Sequence, residues 1–123
     1  ADTIVERTRQ AIVTCLSSPD GRWILGDHDE SSCEYAITAV FDGRPENFVL
    51  DRTFVDDGVR WIIDYKTSSH AGGNLETFLK NEKERYQAQL DRYKKAMALT
   101  EKRPIQTALY LPLLDQFILM EDD

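Results

Sequence analysis

No stretch of the 123 residues approaches the roughly 20 consecutive apolar positions of a membrane-spanning helix, so no membrane partner is expected. Cysteine is scarce. The 2 that occur, Cys15 and Cys33, form neither a C-x-x-C pair nor a zinc spacing, which reads as reduced thiols in a cytoplasmic protein. Positive charge is also short: Lys+Arg 15 against Asp+Glu 22 gives a net charge of -7, which argues against a chain that coats nucleic acid by bulk charge. Local basic surfaces stay open. There is no basic-apolar leader, no repeat and no low-complexity linker, and the first residue is alanine, which leaves a piece cut from a longer chain as an open reading. With 41% hydrophobic residues, a chain of this length buries about two-thirds of its unfolded surface, enough for one domain without metal or disulfide staples.

Hydropathy patterning predicts a helix over Thr3 to Leu16, with a T-x-x-E capping box at Thr3 and Glu6 and an apolar stripe of Val5, Ile12 and Leu16. Ser17-Ser18-Pro19-Asp20-Gly21 ends it. The short apolar run Trp23 to Leu25 is followed by a polar loop, Gly26 to Ser32. A mostly buried strand follows over Tyr35 to Phe41, then a turn at Asp42-Gly43. Strands over Asn47 to Asp56 and Val59 to Thr67 meet at Asp57-Gly58, a dipeptide suited to a two-residue type I′ hairpin. After the small-residue loop Ser68 to Gly73, Asn74 caps a long helix running to Leu99. Apolar runs at Ile105 to Leu111 and Phe117 to Met120 complete the sheet. A helix, a three-strand meander, a helix and two strands form an α/β or α+β layer fold.

The turn at Asp57-Gly58 fixes the pairing of its two strands. Asp56 meets Val59, and the same register sets Asp51 opposite Asp64 on one face, with Lys66 two residues further along it. Facing carboxylates repel and need a counter-charge. A divalent cation held by oxygen ligands, Mg²⁺ or Mn²⁺, supplies one and suits phosphodiester chemistry. Lys66 then either acts on the attacking water or neutralises charge at the reacting phosphate. The alternative is a structural ion-pair cluster in which Lys66 is itself the counter-charge. An Asp-x-Lys triplet alone decides nothing, since about one arises by chance in so acidic a chain.

On the long helix Tyr86, Gln89 and Tyr93 share a face, either as core tyrosines with a solvated neighbour or as part of a site. The segment Lys80 to Arg103 holds 8 basic and 4 acidic residues, against 7 and 18 in the rest of the chain. His28 and His70 read as solvated loop residues, Trp23 and Trp61 as core anchors.

Three runs, Leu50-Asp51-Arg52-Thr53-Phe54-Val55-Asp56, Trp61-Ile62-Ile63-Asp64-Tyr65-Lys66-Thr67 and Tyr86-Gln87-Ala88-Gln89-Leu90-Asp91-Arg92-Tyr93, resemble the RecB-type nuclease domain. That domain belongs to the PD-(D/E)XK superfamily and is found at the C-terminus of AddA- and UvrD-like helicase-nucleases; the likeness spans Glu6 to Leu114. It implies a restriction-endonuclease-like core, a mixed central sheet with a three-strand antiparallel meander flanked by helices. It implies one domain over 1–123, a C-terminal fragment of a larger helicase-nuclease, monomeric as a fragment. Its activity would be that of a metal-dependent deoxyribonuclease of exonuclease type in DNA repair and recombination. Asp51, Asp64 and the backbone carbonyl of Tyr65 would ligate the metal, Lys66 would be the catalytic lysine, and Gln89 and Tyr93 the Q-x-x-x-Y pair. DNA would approach the basic helix at Arg92, Lys94 and Lys95, with helicase domains of the same parent chain as partners. The alternative is a module that keeps the fold and holds DNA or docks a protein without cleaving. These domains usually carry a metal-binding histidine on an upstream helix. The helix over Thr3 to Leu16 has none, so the chain is expected to start after that helix and to bind metal weakly.

Overall fold

The computed structural model describes residues 2–70 and 72–121; Ala1, Ala71, Asp122 and Asp123 lie outside them. Among these the order is α1 (Asp2–Ser17), α2 (Pro19–Leu25), β1 (Asp29–Phe41), β2 (Arg44–Asp56), β3 (Val59–Tyr65), α3 (Leu75–Ala98), β4 (Ile105–Leu111) and β5 (Gln116–Leu119). The strands form one mixed sheet in the order β1-β2-β3-β4-β5. β1, β2 and β3 are an antiparallel meander, α3 crosses over to bring β4 parallel to β3, and β5 returns antiparallel. The described residues form an α/β domain with a mixed five-stranded sheet and three helices.

Both hairpins of the meander turn at Asp-Gly with positive φ at each position: 51° and 75° at Asp42 and Gly43, 50° and 75° at Asp57 and Gly58. These left-handed conformations suit the two central residues of a type I′ turn. At Asn74 the side chain accepts the Thr77 N–H, capping α3 as its position predicts. The sheet has a core on each face. On the α3 side Leu50, Ile62, Leu90, Leu109 and Leu111 are fully buried; on the other, Ile24, Phe54, Ile63, Ala108 and Tyr110 pack with Trp23 and Trp61 at the margin. Each such aliphatic side chain contributes about 1.5–3 kcal/mol on leaving water.

The first third of the chain departs from the sequence reading. Thr3 lies inside α1, so no capping box forms, and Glu6 instead pairs with Arg9 at 2.6 Å. The stripe of Val5, Ile12 and Leu16 faces solvent. α1 ends at Ser17 as expected, but Ser18-Pro19-Asp20 is not a plain turn and starts α2: the Ser18 hydroxyl accepts the Gly21 N–H and Pro19 takes the first turn, where its missing N–H costs nothing. The predicted loop Gly26 to Ser32 already belongs to β1 from Asp29 onward. His28 is packed rather than solvated, stacked on Phe54 at 4.0 Å between centroids with Nε2 against the Trp23 carbonyl. No helix among the described residues is long and apolar enough to cross a membrane.

Candidate active site

The predicted register holds from Asp56↔Val59 to Arg52↔Ile63, and the β2–β3 ladder stops one pair short of Asp51 and Asp64. β3 meanwhile stays paired to β4 through Asp64↔Leu109 and Tyr65↔Tyr110. The two strands therefore part where the carboxylates stand. The alternation of faces also breaks there: Leu50 packs in the α3-side core, whereas Arg52, two residues on, sends its guanidinium to the Ile24 and Gly26 carbonyls on the opposite side. Between the pairs Tyr35↔Leu50 and Cys33↔Arg52, Asp51 lies across from Glu34, which has φ 48°. A non-glycine residue in that region is strained, and here the strain sits beside the candidate site.

Into the opening the Tyr65 N–H donates to Asp51 Oδ2 at 2.8 Å. In an extended strand a residue's N–H and C=O point to the same side, so the Tyr65 carbonyl faces that gap as well. Asp64 is 4% exposed. Lys66 Nζ lies 2.9 Å from its Oδ2, yet off the direction a hydrogen bond needs, and this oxygen is buried with no hydrogen-bond partner. Burial pushes the Asp64 carboxyl up to about 6; Lys66 opposes that shift and the nearby Asp51 charge adds to it. Burial disfavours the Lys66 ammonium, but the Asp64 carboxylate outweighs it and holds the lysine above its ordinary value.

The partners on α3 sit in register with β3. Gln89 Oε1 accepts from Lys66 Nζ at 3.1 Å, and Gln89 Nε2 donates to the Tyr93 hydroxyl at 2.8 Å. The tyrosine is therefore joined to the lysine through one amide. Burial, then the Asp64 charge, raises the Tyr93 phenol. The geometry thus brings together Asp51, Asp64, Tyr65, Lys66, Gln89 and Tyr93.

Sequence reasoning put Tyr86 on the face of Gln89 and Tyr93 without giving it a partner, and missed Glu82 altogether. Tyr86 lies under the Lys66 ammonium, 4.2 Å from Nζ to the ring centroid. Glu82, one turn earlier, is 6% exposed and accepts the Ser68 hydroxyl at 2.9 Å. Glu82, Tyr86, Gln89 and Tyr93 recur at helical spacing, and that stripe was the only available signal for Glu82. His70 packs on Phe78, 5.1 Å between ring centroids, with Nε2 buried and without a hydrogen-bond partner.

The basic helix is less open than its charge count. Arg92 pairs with Glu46 and lies over the rings of Phe41 and Phe48, Lys83 meets Glu121, and Arg103 meets Glu30 and Glu101. Lys94 is half-buried and Lys95 exposed. Among the described residues no three His, Cys, Asp or Glu side chains gather as a metal-binding group. The donors at the strand opening are two carboxylates and a main-chain carbonyl. Compared with known proteins, the chain matches no family model and no curated sequence.

Proposed function

We propose that this domain is a metal-dependent deoxyribonuclease module with a restriction-endonuclease-like core, working within a helicase-nuclease of DNA repair and recombination. One observation carries the reading: Asp51, Asp64 and Lys66 converge where β2 and β3 separate, and a buried oxygen of Asp64 is left without a hydrogen bond. That donor set fits Mg²⁺ or Mn²⁺, hard cations that take one or two carboxylates and complete their octahedron with water and substrate phosphate. Asp51, Asp64 and the Tyr65 carbonyl would hold the ion, which when bound polarises the scissile phosphate and acidifies a ligated water.

Lys66 is the charge placed beside that phosphate. An ammonium facing a carboxylate at 2.9 Å keeps its proton. It is therefore suited to stabilising negative charge on a phosphoryl oxygen or to donating a proton, not to removing one from water. Gln89 holds the ammonium through its amide oxygen, and Tyr93 holds the amide.

A second reading has its own support: Lys66 already neutralises Asp64 without any metal, as a non-catalytic DNA-holding or docking module needs. Cleavage of a labelled DNA strand separates the two. Mg²⁺ or Mn²⁺ should support slow cleavage by the wild type that EDTA abolishes and Asp64→Asn removes. Lys66→Ala should lower it by roughly 100-fold to 10,000-fold while metal binding stays close to wild type. Lys66→Arg should not restore it, because a planar fork does not replace a compact ammonium. DNA binding without cleavage under every metal condition favours the non-catalytic module.

A further inference from the structure

A lysine ammonium has three donor hydrogens on a flexible four-carbon stem, so one partner does not fix its position. Around Lys66 Nζ three groups converge: Asp64 Oδ2 at 2.9 Å, Gln89 Oε1 at 3.1 Å and the face of Tyr86, with its centroid at 4.2 Å. The chain around it is also tied, because the Lys66 N–H donates to the Tyr110 carbonyl and the Ser68 hydroxyl donates to Glu82. Tyr86 itself is half-buried against the core that holds Leu90 and Ile62, so its ring is not free to follow the lysine. Arg85 reaches the same ring at 5.1 Å, but its side chain is 68% exposed and solvent screens it.

We propose that Tyr86 is a positioning residue for Lys66, its ring face holding the ammonium between Asp64 and Gln89 at the opening between β2 and β3. An aromatic face attracts a cation without taking a proton or offering a carboxylate that would compete with Asp64. The catalytic meaning of this contact rests on the nuclease reading; the contact itself does not.

Two measurements on the whole 123-residue chain test it. In the NMR spectrum the Lys66 ε-protons should lie upfield of an ordinary lysine through the ring current of Tyr86. They should stay there in Tyr86→Phe, which keeps the ring, and return in Tyr86→Leu, which keeps only the apolar packing. Ordinary shifts in the wild type, or shifts unchanged in Tyr86→Leu, overturn the proposal, and the wild-type spectrum decides even if Tyr86→Leu unfolds. In the cleavage assay Tyr86→Leu should lower kcat by about tenfold to a hundredfold with KM little changed, as loss of a positioning contact does, while Tyr86→Phe stays near wild type. Equal kcat in wild type and Tyr86→Leu overturns it. A wild type that does not cleave at all counts against the nuclease reading alone, and the ring-current arm still decides the placement of Lys66.

Discussion

The Asp51 carboxylate accepts the Tyr65 N–H at 2.8 Å, in the place where a continuing antiparallel ladder would offer the Leu50 carbonyl. A side chain thus replaces a main-chain partner where the sheet opens. The exchange holds Asp51 beside Asp64 despite their like charge.

Asp51→Asn should separate these two roles. The amide oxygen still accepts from Tyr65, but the charge that helps raise Asp64 is gone, so the Asp64 midpoint should fall below about 6. An unchanged midpoint in a carboxyl NMR titration would show that Asp51 does not act on Asp64. The sign for stability follows from the raised value. Asp64 contributes stability fully below its ordinary 3.8, and that contribution is lost as the pH rises through about 6. The metal-free domain should therefore lose this increment between about pH 4 and pH 6, and Asp64→Asn should remove that slope.

Gly21 marks where α1 crosses α2. A Cβ there would lie 2.4 Å from the Cys15 carbonyl oxygen and 2.6 Å from its Cα, main-chain atoms that cannot move without parting the two helices. Gly21→Ala should cost roughly 1–3 kcal/mol, the range for overpacking. Because α1 leans chiefly on α2, the loss should be local. Hydrogen exchange should speed up in α1 while the Tyr65 amide stays protected; unaltered exchange in α1 would refute the crossing argument.

The sequence was most legible where short-range chemistry leaves few options. Two Asp-Gly turns set the register of the meander, so counting put Asp51 near Asp64 and Lys66, and Asn74 set the start of α3; that Gln89 and Tyr93 join them was implied only by the family resemblance. It was least legible where one pattern serves two structures. Ser18-Pro19-Asp20 reads as a turn but is equally an N-cap followed by a helix-starting proline. The start of β1 is polar because that edge strand is mostly exposed, and a two-faced hydrophobic signal never develops. Glu82 and Tyr86 gave no sign of their neighbours, Ser68 and Lys66, because a loop and a crossover separate them.

Glu101 sits with its side chain 8% exposed between Arg60 and Arg103, and the hydrogen bond from Arg60 holds its carboxyl well below the usual range, at about 2. A depressed carboxylate value means stability that is whole above 4.5 and lost as the pH falls toward about 2. The clasp joins the start of β3 to the segment after α3, so acid should loosen that corner of the sheet. Melting temperatures should fall between about pH 4.5 and pH 2, and Glu101→Gln should flatten that part of the curve while lowering the plateau. A variant with the same acid limb as wild type would place the titrating group elsewhere.

The basic helix makes a prediction that depends on which charges are already answered. Arg92 is engaged by Glu46 and by two aromatic rings, so its charge is largely spent inside the domain. Lys94 and Lys95 follow Tyr93 directly, next to the proposed site, and Lys95 is exposed. If the DNA backbone approaches this stretch, Lys95→Glu should weaken binding and lower the slope of log affinity against log salt by roughly one, near one counterion per phosphate contact. Arg92→Ala should change the slope little, because a side chain already paired within the protein releases few counterions from DNA. Fluorescence anisotropy of a labelled single strand across a salt series measures both. A slope that drops with Arg92→Ala and not with Lys95→Glu would move the DNA path to the Glu46 side of the helix, and a slope that ignores both residues would take it off α3 altogether.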